Sequence, residues 1–181
     1  MPTLYFDDPE EGLDRATSHP AFVQLAQDDF YFDGADDFSP FGSDDGFDTL
    51  AALEDWYREG AHQSATGMDF LQGLLAAWDF PIPADMLTQS DAAKTQWLAE
   101  GMNDSWLASV CKARVATAFG QIKISGQLDA TVREQALLAL DNQLFMNERG
   151  RRVHPDWEWA EHEANRLRAM HRALTQFQAT H

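Results

Sequence analysis

Apolar residues recur at three- and four-residue spacing from about residue 46 onward, and capping residues stand where these patterns begin. This spacing is the period of an amphipathic α-helix, so most of the chain after residue 46 is predicted to be helical. One β-like run follows residue 60, QIKISGQLD at residues 121–129, and the pattern leaves it open between a loop and a lone strand. The predicted fold is a mainly α, single-domain helical bundle.

Caps and helix breakers set the predicted boundaries of the first helices. Pro20 suits the first position of a short helix, because its missing N–H has no intrahelical partner there. The next helix, which Phe47 and the apolar residues after it mark, ends at Gly60. Thr66 caps a third helix, which closes before Pro81.

The same signals continue in the second half of the chain. Ser90 caps a helix that is interrupted around residues 101–104 and then resumes until Gly120. Asp129 is predicted to cap the following helix, and Asp156 the last one.

Acidic residues are concentrated at the start of the chain. The first sixty positions hold sixteen of the thirty acidic residues, opposed there by Arg15 and Arg58 alone. Residues 28–46 are rich in Asp, Gly, Ser and Pro, which predicts turns, with residues 29–33 extended. We therefore expect an acidic, irregular segment within residues 1–60 and a helical body at 61–181. The aromatic side chains expected to anchor this segment are Phe30, Tyr31, Phe32, Phe38 and Phe41.

Length and composition limit the class of protein. A chain of 181 residues can bury a sizeable core without disulfides or a structural metal. Its single cysteine, Cys111, has apolar neighbours, which predicts a small buried hydrophobe rather than a reactive thiol. The opening MPTLYFDDPEEG does not resemble a secretion signal, and no apolar run approaches the ~20 residues of a membrane span. A cytoplasmic protein with no membrane partner is expected.

The clustered carboxylates are the first candidates for chemistry, because hard cations bind several oxygen ligands at once. The cluster consists of Asp33, Asp36, Asp37, Asp44, Asp45 and Asp48. No register through these residues satisfies the calcium-loop pattern of acids at alternate positions, a glycine and a twelfth-position Glu. A solvated acidic loop is the simpler interpretation, and Asp44 and Asp45 also suit a turn and helix N-cap. No metal ion or other cofactor is predicted.

Histidines and nucleophiles give no stronger signal. His162 and His171 are nine residues apart, so on a helix they face opposite sides and cannot share a metal ion. His154 has no histidine four residues away either. No GxSxG, GxxxxGK[ST] or GxGxxG motif occurs in the chain. The basic patch at residues 149–152 is too small for a nucleic-acid footprint against a net charge of −17.

Concentrated negative potential favours a cationic partner and repels nucleic acid and lipid headgroups. The predicted function is a non-catalytic acidic binding protein for a basic protein partner, and a bacterial immunity protein that neutralises a toxin would fit. The predicted partner-binding residues are Asp33, Asp36, Asp37, Asp44, Asp45, Asp48, Phe38 and Phe41. Phe38 and Phe41 have two possible roles, as anchors of the loop or as exposed binding hot spots, and anchoring is favoured. A metal-dependent hydrolase using the aspartates and a DNA mimic are the alternatives.

The run from His19 to Tyr57 also resembles a known group of sequences. The matching elements are His19-Pro20, Asp28-Asp29-Phe30, Phe38-Ser39-Pro40-Phe41-Gly42, Asp44-Asp45-Gly46 and the later run from Ala116 to Asp129. They resemble the bacterial YfeS-like proteins, some of which are associated with MolR proteins, and cover about a third of the chain. Some relatives carry a WGR module linked to nucleic acids. None of the six Trp here is followed by Gly-Arg, so the resemblance implies a bacterial origin without that module and assigns no mechanism.

Overall fold

Helices make up nearly all of the regular structure in a computed structural model that describes residues 2–179. The α-helices are α1 (Pro20–Leu25), α2 (Asp44–Arg58), α3 (Gly67–Trp78), α4 (Asp91–Leu98), α5 (Asn103–Ser125), α6 (Ala130–Val153) and α7 (Ala160–Gln176). Short 3₁₀ turns lie at Asp29–Phe32, Ala61–Gln63 and Met86–Thr88, and no strand occurs in the described part of the chain. The predicted mainly α fold is confirmed.

Helix α5 forms the centre of the bundle, and the other helices pack around it. From Val115 to Ile124 it is buried on every side, with side chains such as Val115, Phe119 and Ile122 excluded from solvent. A helix that is apolar all round must be surrounded by other elements. The buried side chains of the described residues form a hydrophobic cluster that runs from Phe22 in α1 to Leu174 in α7.

The predicted end of α5 at Gly120 is wrong. Residues 121–125, which the sequence suggested were a loop or a strand, are helical as well. The helix continues to Ser125 and ends at Gly126, which adopts a left-handed conformation with φ of 70°. Gly120 serves packing instead, since a Cβ there would lie 2.6 Å from a methyl carbon of Leu53 in α2. Burial of Ile122 and Ile124 in the core stabilises helix despite their β-branched side chains.

Residues 29–33 are not extended as predicted, because Asp29–Phe32 forms a 3₁₀ turn. Phe30 and Tyr31 are consecutive, and both are buried. A strand would point consecutive side chains to opposite faces, whereas this tight turn lets both aromatic rings reach the core.

The last helix begins three residues later than an N-cap at Asp156 would place it. Residues 154–159 form turns, and Trp159 occupies the N-cap position of α7. Trp157 packs against Gly150 of α6, where a Cβ would lie 3.1 Å from the indole ring. This contact joins the turn to α6. Capping rules consider only neighbouring residues in the sequence and therefore cannot predict it.

The other boundaries agree with the sequence. Pro20 begins α1, and Ser90 caps α4. Thr66 forms a full capping box with Asp69, and the hydrogen bonds from Thr66 lower the pKa of the Asp69 carboxyl. No helix among the described residues is long and apolar enough to cross a membrane.

Candidate functional site

The acidic loop between α1 and α2 is attached to the bundle by its aromatic side chains. Phe41 is 1% exposed and packs 6.1 Å, ring to ring, from Phe22. Phe38 is half-buried, with its ring 5.7 Å from that of His162 in α7. Phe41 therefore has the environment of an anchor and is not available to a partner in this conformation, whereas Phe38 keeps part of its ring at the surface.

Two of the loop aspartates are engaged within the loop. Asp33 accepts a hydrogen bond from the backbone N–H of Ala35, and Asp36 accepts one from Phe38, each at 2.9 Å. These are Asx turns, which fold the backbone with the carboxylate itself. Asp36 also lies 3.5 Å from Nε of Arg166 in α7.

Arg166 connects this loop to the 3₁₀ turn before it. Its guanidinium carbon lies 4.2 Å from the ring centre of Phe30. The cation thus faces an aromatic ring and the carboxylate of Asp36 together, which holds the acidic loop against α7.

The start of α2 engages a further aspartate. The N-cap is Ser43, whose hydroxyl accepts a hydrogen bond from Gly46 at 3.2 Å, so the expectation of an aspartate at this cap is corrected. Asp44 and Asp45 occupy the first turn, where negative charge complements the helix dipole. Asp45 accepts a hydrogen bond from Oγ of Ser109 in α5 at 2.9 Å.

The remaining aspartates of the predicted set are free. Asp37, Asp44 and Asp48 are exposed, and none forms a hydrogen bond or ion pair through its side chain within residues 2–179. Asp44 and Asp48 are four residues apart and share one face of α2. These carboxylates are exposed to solvent and make no contribution to the fold through a hydrogen bond or ion pair within residues 2–179.

Phe47 lies on this same acidic face. The pattern of apolar positions in the sequence did not predict that its side chain would be exposed. Its side chain is 62% exposed, although the sequence groups it with core positions such as Leu50 and Leu53. The helical period separates them, because Leu50 and Leu53 face α5 while Phe47 lies beside Asp44 and Asp48. The helical period could have identified Phe47 as exposed, because it places this residue well to one side of Leu53 around the helix axis.

A buried ion cluster fixes the first residues of the chain to α2 and α5. Lys123 is fully buried, with its ammonium 2.8 Å from Asp7 and 3.4 Å from Glu54. Glu54 also accepts hydrogen bonds from the backbone N–H of Asp7 and from Arg58. Buried charges require such partners.

The aspartate cluster does not converge on a common point. Among residues 2–179, no group of three or more His, Cys, Asp or Glu side chains has an arrangement that could hold a metal ion. His171 lies 3.3 Å from Asp141, on a different helix face from His162. Cys111 is buried as predicted, and burial raises the pKa of its thiol to about 12.

Comparison with known proteins shows that the sequence is similar to a bacterial protein. No protein-family model matches the chain, and no solved structure matches it. The protein described as "Uncharacterized protein YfeS" from Escherichia coli (strain K12) is 36% identical over 142 residues, which is 77% of this chain. The chain spans 56% of the length of that relative. The predicted resemblance to the YfeS-like proteins is confirmed by this similarity over most of the chain.

Proposed function

We propose that this chain is a non-catalytic binding protein that engages a basic protein through the exposed face of α2 and the adjoining acidic loop. The observation that carries this proposal is the exposure of Phe47 on the side of α2 that also carries the unpartnered carboxylates of Asp44 and Asp48. Aromatic side chains are enriched at protein interfaces, and they are common among the residues that dominate binding affinity.

Charge and aromatic contact have separate roles in this proposal. Unpaired carboxylates accelerate the encounter with a cationic surface by long-range attraction, and salt weakens that attraction. Phe47 then supplies apolar burial at the centre of the contact, where charged pairs alone contribute little.

The surface is also ordered before binding. Helix α2 packs along α5, and the hydrogen bond from Ser109 to Asp45 ties its first turn to that helix. The Asx turns at Asp33 and Asp36 hold the loop that carries Asp37. Because less conformational freedom is lost on association, more of the contact energy appears as affinity.

An inhibitor of a basic protein, such as a toxin neutralised by an immunity protein, is the form of this function that an acidic surface suits best. A DNA mimic would use the same surface against a nucleic-acid-binding protein, and the identity of the captured partner separates the two. The third candidate, a metal-dependent hydrolase, has no supporting convergence of carboxylates within residues 2–179.

The test is affinity capture from the cognate lysate, followed by calorimetric titration of the purified captured protein. The variants are the triple change Asp37→Asn/Asp44→Asn/Asp48→Asn and the single change Phe47→Ala. A control variant, Glu100→Gln/Glu134→Gln, removes two exposed acids far along the chain from this face, and its effect is compared with that of the triple change per charge removed.

The expected result is one basic protein captured by the wild type and the control. Its affinity should fall as salt rises, and Phe47→Ala should weaken binding by about 2 kcal/mol or more, as for other aromatic hot spots. Binding that is indifferent to salt and to the triple change, or that falls equally in the control, would contradict the proposal.

A further inference from the structure

A groove of about 770 Å³ lies where the start of α5 meets the end of α6. Its size is within the range of ~300–1,000 Å³ that is typical of small-molecule sites in proteins. The turn at residues 154–159 and the first part of α7 close its far side.

Residues at helical spacing on the two long helices line the groove. Helix α5 lines it with Ala108 and Lys112, four residues apart on one face. Helix α6 lines it with Met146 and Gly150, again four apart. Because Gly150 has no side chain, the ring of Trp157 packs close to the helix and forms an apolar wall.

The basic residues of the groove differ from most others in this chain. Eight of the thirteen Lys and Arg residues form ion pairs with described acids. Lys112 and Arg149, which both line the groove, form no such pair within residues 2–179. Unpaired cations in an apolar-walled groove are suited to an anionic group that supplies the missing partner.

Acidic side chains are present in the groove too. Asp104 and Asp156, which are both exposed, line it. Glu163 is half-buried and accepts a hydrogen bond from Asn147 at 2.6 Å. Burial raises the pKa of the Glu163 carboxyl, while Asn147 and the Lys112 ammonium lower it, so its negative charge is less favoured than that of an exposed glutamate.

The net charge of −17 does not prevent a small anion from binding here. Fields from exposed charges are largely screened beyond roughly 8 Å at physiological ionic strength, so the charges in direct contact with a bound group dominate. An anionic membrane is disfavoured, because a surface that large would also meet the acidic residues around the groove.

We propose that this groove binds a small organic anion, with Lys112 and Arg149 contacting its anionic group and Met146 and Trp157 packing against its aromatic or aliphatic body. No residue that lines the groove belongs to the proposed partner-binding set, although Lys112 and Glu163 also line a small pocket together with Asp37 and Phe38. The anion binding proposed here does not rest on the function proposed above.

The experiment titrates the folded full chain with anilinonaphthalene sulfonate, followed by fluorescence, and with naphthoate, followed by calorimetry. Naphthol serves as the uncharged counterpart of naphthoate. The variants are Lys112→Gln and Arg149→Gln, with Lys112→Arg as a variant that keeps the charge. Arg152→Gln is the matched control, because this exposed α6 cation is paired with Glu148 and does not line the groove.

Saturable binding of both anions by the wild type is expected, weakened at least tenfold by Lys112→Gln or Arg149→Gln and retained by Lys112→Arg and Arg152→Gln. Denaturant midpoints equal to those of the wild type show that the variants are folded, and either neutralising variant suffices if the other does not fold. Naphthol binding as tightly as naphthoate, absence of saturable binding, or equal weakening by Arg152→Gln would overturn the proposal.

Discussion

The ammonium of Lys123 lies 2.8 Å from the carboxylate of Asp7, which links the interior of α5 to a segment 116 residues earlier in the chain. Lys123 is fully buried, and Glu54 beside it is almost so. Replacement by Met would leave Glu54 and Asp7 without their buried cation, an arrangement that typically costs ~3–5 kcal/mol. We expect Lys123→Met to lower the free energy of unfolding by about this amount in urea titration.

The control for this change is Arg152→Met, which removes an exposed cation from a surface ion pair. Its effect should stay within about 0.5 kcal/mol, as for most surface substitutions. Equal midpoints for the two variants would show that the buried cluster contributes nothing specific.

Truncation to Ala should reduce the stability of the fold at Phe41 and leave it nearly unchanged at Phe47. Phe41→Ala removes a buried ring and should destabilise the fold by ~3–5 kcal/mol. Phe38→Ala, at a half-buried position, should cost less. Phe47→Ala should leave stability within about 0.5 kcal/mol, since its ring is largely in water. Denaturant midpoints measure all three, and an unchanged midpoint for Phe41→Ala would show that the anchoring interpretation is wrong.

Glu163 gives a prediction about pH. Its pKa is raised in the folded chain above the ordinary value of 4.5, chiefly by burial. The folded state then binds more protons than the unfolded state just above that pH, so the contribution of Glu163 to stability is present in acid and is lost as pH rises. Glu163→Gln keeps an oxygen for Asn147 and has no charge, so its stability relative to the wild type should increase from acid to neutral pH.

Glu161 is the matched comparison, because hydrogen bonding and charge from Arg151 lower its pKa. Its contribution is present above its ordinary pKa and is lost as pH falls. Glu161→Gln should therefore lose stability relative to the wild type toward neutral pH, the reverse of Glu163→Gln. Urea midpoints across the acid range check both directions, and slopes of the same sign would refute the assignment.

Arg114 is a cation whose removal should stabilise the fold. Its Nε and Nη1 atoms are buried without a hydrogen-bond partner, and burial lowers its pKa. The neighbouring side chains include Leu75, Leu87 and Val110. Because an apolar residue of similar length has no desolvation cost there, Arg114→Met should raise the free energy of unfolding by ~1 kcal/mol.

Arg133→Met is the control for Arg114, since Arg133 donates a hydrogen bond to the carbonyl of Phe177. That change should be neutral or destabilising in thermal and urea unfolding. A loss of stability in Arg114→Met as large as in Arg133→Met would contradict the stated cost of burying its guanidinium.

Local signals in the sequence determined the starts of α1, α3 and α4 and the fold class. Pro20, Thr66 and Ser90 begin or cap their helices through contacts within the first turn, so residues a few positions apart contain all the information needed. The periodic apolar positions likewise determined a helical bundle, because each helix must bury one face.

The tertiary structure decided the features that depend on distant neighbours. Gly120 ends no helix because Leu53 from α2 occupies the space beside it, and α7 begins after the turn in which Trp157 packs on Gly150. The ion pair between Lys123 and Asp7 also depends on the tertiary structure, because the two residues are far apart in the sequence and no local pattern connects them.

The candidate binding surface shows the same division most clearly. The sequence determined an acidic, aromatic segment, and its composition alone gives the sign of the charge that a partner should carry. Only the packing of that segment on α1, α5 and α7 decided that Phe41 is internal and Phe47 external. Both rings stand among aspartates in the sequence, and burial depends on which side of the folded backbone faces the core, a property set by the whole chain.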